Sequence, residues 1–294
     1  MKPFTYAAPK SLQEAHQILA QAKGPGDVRA LVGGSDLIDQ MRVNRRNPSI
    51  VLDIKRIPEM KRLEWVAGEG LHVGAAVCCT DTAHFPAVVQ NYGSINESCQ
   101  LVGSTQIQNK ASMAGNVANS APSADTVPGL ITWGARVLLT SPRGKREVLV
   151  EDFFTGPGQN VCAPDEIIQE VIVPPPPANS AGHYLRFIPR NEMDIAVVGV
   201  GCMIALAPGT RRCTIARIAL ASVAPTPVRA KAAETVLEGK EITAALIDEA
   251  GEKAVEAARP ISDVRGSADY RKELVKVLTR RTLRQCMESL HQKI

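Results

Sequence analysis

Four consecutive prolines, Pro174-Pro175-Pro176-Pro177, interrupt this chain at a place that neither a helix nor an inner strand can cross. Each proline fixes φ and lacks an N–H donor, so the run favours an extended polyproline segment and marks a domain junction. A length of 294 residues suits a chain of about two domains. Beyond the junction the pattern is strands followed by helices, which predicts an α+β second domain.

Before the junction, Ser11-Leu12-Gln13-Glu14 reads as a capping box opening an amphipathic helix that stops at Gly24-Pro25-Gly26. Residues 27–32 and 50–54 are expected strands, the first running into Gly33-Gly34 and a helical turn. Residues 63–77 read as a hairpin, 86–99 and 126–133 as helices, and 136–140 and 166–173 as strands. After the prolines, 196–207 and 215–223 read as long apolar strands and 243–258 as a helix. A final amphipathic helix with a basic outer face begins at Tyr270.

Two stretches have little bulk to bury. Residues 112–125 combine small residues, hydroxyls, two asparagines and a closing Asp125, with no Lys, Arg or aromatic residue. Leu31-Val32-Gly33-Gly34-Ser35-Asp36-Leu37 has the same character. Small side chains leave backbone N–H groups uncovered, so an anion can approach them closely. Strand, glycine pair, hydroxyl and helix together form a phosphate-cradle arrangement, and an Asp beyond such a loop is suited to ribose hydroxyls. Together the two stretches predict a dinucleotide site; composition alone leaves open capped turns without a ligand.

Other chemistries find no support. A net charge of +4 is small for this length, and the Arg/Lys clusters are interleaved with apolar or acidic residues, which excludes a nucleic-acid face. Seven cysteines without Cys-x-x-Cys spacing argue against a disulfide framework, zinc or an iron–sulfur cluster on this chain. His72 and His84 stand alone. Gly199-Val200-Gly201 lacks the third glycine of a nicotinamide-binding fingerprint, and there is no Gly-x-Ser-x-Gly elbow, His-Glu-x-x-His or Walker loop. The N-terminus lacks the apolar core of a signal peptide and no run is long enough for a membrane span, so a cytoplasmic protein is expected.

Six segments carry a family resemblance in order along the chain: 33–37, 106–109, 112–125, 193–198, 222–230 and 262–271. Together they resemble the FAD-binding medium subunit of molybdenum hydroxylases, the group of the carbon monoxide dehydrogenase flavoprotein and the xanthine dehydrogenase FAD domain. The resemblance implies an α+β fold: a two-subdomain FAD-binding unit of the vanillyl-alcohol-oxidase (PCMH) type in 1–55 and 56–177, then a smaller α+β C-terminal domain in 178–294. It implies FAD contacts from Leu31, Val32, Gly33, Gly34, Ser35, Asp36 and Leu37, and from Ser112, Ala114, Gly115 and Asn116, around the diphosphate. Asn119 and Asp125 would serve the sugar and adenosine half, and Val102, Ile168 and Arg186 would lie near the rings, with Glu192-Met193-Asp194 beside the isoalloxazine. Ala114 stands where the family usually has glycine, and Val102 where some relatives place an aromatic residue. Function follows by the same resemblance: an electron-transfer subunit, with molybdopterin on a large partner and [2Fe–2S] clusters on a small one, in a dimer of heterotrimers. A self-sufficient FAD oxidase is the alternative, and a purely structural module a further one.

Overall fold

The computed structural model describes residues 1–190 and 193–292. Its first layer is a parallel sheet of β1 (Thr5–Ala7), β2 (Val28–Leu31) and β3 (Ile50–Asp53), in the order β1-β3-β2. Parallel neighbours require crossovers, and helices α1 (Leu12–Leu19) and α2 (Leu37–Arg42) lie in the two connections. The start of α1 follows its sequence: Ser11 Oγ accepts from the Glu14 N–H, while the Glu14 carboxylate accepts from the Lys10 N–H, one residue before the usual reciprocal partner.

The second layer is an antiparallel sheet of β4 (Leu63–Val66), β5 (Gly70–Gly74), β6 (Arg136–Ser141), β7 (Gly144–Leu149) and β10 (Ile167–Val173), in the order β4-β5-β10-β6-β7. A hairpin of β8 (Phe154–Gly156) and β9 (Gln159–Asn160) lies in the connection between β7 and β10. Central β10 is buried at every position, which explains its unbroken apolar run.

Between β5 and β6 lie six short helices: α3 (Cys79–His84), α4 (Pro86–Asn91), α5 (Gly93–Leu101), α6 (Thr105–Gln108), α7 (Met113–Asn119) and α8 (Thr126–Thr132). The single helix expected over 86–99 is therefore two. Its break is at Tyr92, whose ring is fully buried edge-on to Trp133 and whose hydroxyl donates to Pro174 O at 2.7 Å. Anchoring the proline junction takes precedence there over helical continuity.

Beyond the prolines, β11 (Ser180–Phe187), β12 (Val198–Leu206), β13 (Cys213–Ala221) and β14 (Val228–Arg229) form an antiparallel sheet in sequence order. Helices α9 (Lys231–Leu237), α10 (Ala244–Ala254) and α11 (Ala268–Ser289) follow. Strand β11 was not legible in the sequence, because it mixes a buried Gly182 and half-buried His183 and Arg186 with apolar residues. It is held instead by α5, where the Glu97 carboxylate accepts from the Tyr184 N–H and pairs with His183. Strand β12 is buried along its whole length, since α8 packs against this sheet as well as α11. At that crossing a Cβ on Gly201 would stand 3.0 Å from the Pro128 carbonyl carbon.

Two hydrophobic clusters result, one gathering the N-terminal sheets with α1 and α3 to α8, the other the C-terminal sheet and its helices. Arg271, only 4% exposed, donates to Val197 O, Ser222 O and Asp263 Oδ1. Ser222 in turn donates its N–H to Pro122 O at 2.8 Å, from a left-handed backbone conformation with φ 66°. The segments 222–230 and 262–271 thus tie the C-terminal sheet to residues 112–125. Among the described residues no helix is long and apolar enough to cross a membrane.

Candidate cofactor-binding site

The loop after β2 and the loop before α7 meet through their backbones. A Cβ on Gly33 would lie 2.2 Å from Lys110 O and 2.8 Å from Ala111 N, so only a glycine allows the contact. Gly34 follows with φ +73°, the left-handed region that lets the chain turn into α2. Among the described residues no acceptor meets the N–H groups of Gly33, Gly34, Ser35, Asp36 and Leu37; the first bond of α2 runs from the Ile38 N–H to Gly34 O. Five adjacent donors are therefore left open at one place.

The second stretch is different. Ser112 Oγ accepts from the Gly115 N–H at 3.0 Å and caps α7. Asn116 Oδ1 accepts from both the N–H and the hydroxyl of Thr126, at 3.2 and 2.8 Å. Asn119 Oδ1 accepts from Gln40 Nε2 at 2.8 Å, joining α7 to α2. Ser120 closes the helix with φ 53° and donates its hydroxyl to Val117 O. The methyl of Ala114 belongs to the buried core at 4% exposure, which accommodates it where a glycine is the family norm.

Between the loops runs a cleft holding about 210 Å³ of open cavity. Of the residues expected from the sequence, Leu31, Val32, Gly33, Gly34, Ser35, Asp36, Leu37, Val102, Ser112, Ala114, Gly115, Asn116, Asn119 and Ile168 line it. Asp125 and Arg186 do not line it. They are bonded to one another at 2.6 Å, and Asp125 also accepts from the Tyr184 hydroxyl at 2.8 Å. Burial pushes the Asp125 carboxyl above its ordinary range, with Arg186 and then Tyr184 opposing the shift. Burial likewise pushes the Tyr184 hydroxyl up, reinforced by Asp125. Glu192 lies outside the described residues; Met193 N–H reaches Gly103 O, and Asp194 pairs with Arg190.

Sequence reasoning missed several wall residues. Arg29, Gln40, Arg46, Asn160, Cys162 and Glu166 also line the cleft. Strand alternation could have found Arg29, two residues before Leu31 and on the same face. Arg46 had no local signal, because its bond to Gly158 O comes from far along the chain. The thiol that lines the cleft is Cys162. Burial and then Glu166 push it up to about 12, so it stays protonated at neutral pH. Glu166 itself is held below the usual carboxylate range by the Arg146 guanidinium, which donates to both of its oxygens.

These surfaces fit a dinucleotide. Open N–H donors suit a diphosphate, Ile54, Ala75, Val102, Ile167 and Ile168 offer apolar wall for flat rings, and amides and guanidinium groups surround the remainder. Among the described residues no group of His, Cys, Asp or Glu could hold a metal ion.

Comparison with known proteins gives the same direction. The family described as FAD binding domain in molybdopterin dehydrogenase matches residues 2–176, and the CO dehydrogenase flavoprotein C-terminal domain matches 183–286. The nicotinate dehydrogenase FAD-subunit of Eubacterium barkeri is 30% identical over 278 residues, covering 94% of this chain and 93% of that protein. The carbon monoxide dehydrogenase medium chain of Hydrogenophaga pseudoflava is 29% identical over 280 residues, 95% and 96% of the two chains. Among solved structures, the carbon monoxide dehydrogenase of that organism superposes with TM-score 0.91 at 30% identity, covering 98% of this chain and 99% of the other. Quinoline 2-oxidoreductase from Pseudomonas putida 86 does so with TM-score 0.90 at 29% identity, with 99% of each covered.

Proposed function

The chain belongs to the family of FAD-binding medium subunits of molybdopterin dehydrogenases, with FAD as its cofactor, and from that premise we propose that it serves as the electron-exit subunit of a molybdenum hydroxylase complex. The observation that carries the proposal is the backbone contact at Gly33, which closes two loops into one cleft with five open N–H donors. Bound FAD supplies the redox chemistry, accepting electrons and passing them to an external acceptor. This chain's own residues bind and orient it.

Gly33, Gly34, Ser35, Asp36 and Leu37 present the diphosphate donors, with Leu31 and Val32 leading into them. Ser112, Ala114, Gly115, Asn116 and Asn119 form the opposing wall, and Val102 and Ile168 exclude water from the rings. The Asp125–Arg186 pair, with the Tyr184 hydroxyl on Asp125, ties the residue before α8 to β11 and serves as scaffold behind the cleft. The complex would comprise a large molybdopterin subunit, a small iron–sulfur subunit and this chain, assembled as a dimer of heterotrimers. Substrate hydroxylation would then occur on the large subunit, and this chain needs no catalytic acid or base.

The test is co-expression and purification with candidate partner chains, followed by flavin, molybdenum and iron analysis. Flavin on this chain, with its reduction by organic substrate only when both partners are present, is the expected result. Turnover of an organic substrate by this chain alone would contradict it and point to a self-sufficient oxidase.

A further inference from the structure

Strand β13 carries a charge where its pattern calls for none. Alternate residues of a strand share a face, so Ile215, Arg217 and Ala219 point the same way. Ile215 and Ala219 pack into the N-terminal hydrophobic cluster, and Met203, the cross-strand partner of Arg217 on β12, is buried in it too. Arg217 therefore enters an apolar row where the two halves of the chain meet. Its guanidinium lies against Gly134, where a Cβ would stand 2.3 Å from Nη1 and the backbone has φ +67°, so glycine makes room for it. Among the described residues Arg217 forms no ion pair; Glu151, an acid in the same cavity wall, pairs with Arg229 at 3.1 Å instead.

Arg217 borders a cavity of about 180 Å³ that shares no lining residue with the dinucleotide cleft. Trp133, Met203 and Ile215 give it apolar walls, and Pro174 and Pro175 border it from the junction. These walls are fixed before any ligand arrives. Trp133 Nε1 donates to Ser94 Oγ at 2.8 Å, and Tyr92 stands edge-on to Trp133 while its hydroxyl holds Pro174 O. A dry cavity of about 150 Å³ accepts a benzene ring, so this volume suits one ring with a small substituent. A cation beside such walls is costly without an anion, and the planar fork of arginine matches a carboxylate. Phosphate fits the fork as well but sets a hydrated ion against the apolar walls.

We propose that this junction cavity is a second binding site, for a small monocarboxylate with one flat ring, whose carboxylate meets Arg217 and whose ring lies against Trp133 and Pro174. The site is independent of the FAD reading. Because its walls come from both sides of Pro174–Pro177, the ligand joins the two halves of the chain, and Arg217 sets which ligands enter.

The experiment uses the flavin-loaded full chain. Benzoate, its neutral isostere benzamide and inorganic phosphate are titrated by calorimetry and followed by thermal melting in wild type, Arg217→Met and Arg217→Lys. Benzoate should bind with a Kd of about 1 mM or below and raise the melting temperature, with benzamide and phosphate weaker by about tenfold or more. Arg217→Met should bring benzoate down to the level of benzamide, Arg217→Lys should recover part of the difference, and flavin content should be the same in both. Benzoate binding no tighter than benzamide or phosphate would overturn the inference, as would a benzoate affinity that Arg217→Met leaves unchanged. If the Met variant does not fold, the three probes on wild type and the Lys variant decide the matter. A chain that takes up no flavin would count against the cofactor reading alone, and the same titrations then apply to it.

Discussion

Residues 31–37 and 112–125 touch through their backbones, yet the first leaves the N–H groups of Gly33 to Leu37 open while the second bonds Ser112, Asn116, Asn119, Ser120 and Asp125 within the protein. A stretch rich in polar side chains is therefore the scaffold, and the plainer glycine loop offers the donors. Side-chain polarity is a poor guide to which wall faces a ligand: asparagine and aspartate satisfy buried backbone at helix ends as readily as they bind anything. Open main-chain donors are the better guide, because burying them without an acceptor is expensive.

That contrast can be broken at four places. The largest effect is expected at Arg186→Met, which strands a buried Asp125 carboxylate; folding should lose about 3–5 kcal/mol by denaturant titration. If the pair is scaffold, the chain that remains folded keeps FAD affinity within a few fold. Next comes Gly33→Ala, whose methyl would collide with Lys110 O. Overpacking of about 1–3 kcal/mol, expressed as loop separation, should weaken FAD binding roughly ten- to a hundredfold with a smaller change in melting. Ser112→Ala removes only the α7 cap, so about 1 kcal/mol of stability should go while FAD affinity stays nearly constant.

The smallest effect concerns pH. Arg146 holds the Glu166 carboxyl below its unfolded value, so the stability from this pair is present above the ordinary carboxylate range and is lost as pH falls through the lowered folded value. Melting followed from about pH 6 to about pH 3 should drop less steeply in Glu166→Gln than in wild type. An identical slope would mean the pair does not brace the cleft wall.

Much of this was legible beforehand. Local signals found α1 through Ser11 and Glu14, β10 through its apolar run, and the first loop through Gly33-Gly34. The family segments point to most of the residues that line the cleft. What escaped depends on distant contacts. Tyr92 breaks a helix because its hydroxyl reaches Pro174, and β11 is placed by Glu97 rather than by its own alternation. Arg46 reaches the cleft through Gly158, and Asp125 is claimed by Arg186 and Tyr184, neither of which is near it in sequence. A carboxylate suited to a ribose is equally suited to a buried arginine, and only tertiary packing decides between them.

Amide hydrogen exchange on the flavin-free chain, with and without added FAD, tests the central claim most directly. FAD should protect the Gly33 to Leu37 amides, which have no acceptor in the free chain, and leave Gly115 and Asn116, already bonded to Ser112, little changed. Protection appearing at Gly115 and Asn116 while Gly33 to Leu37 continue to exchange freely would contradict the assignment of the two walls.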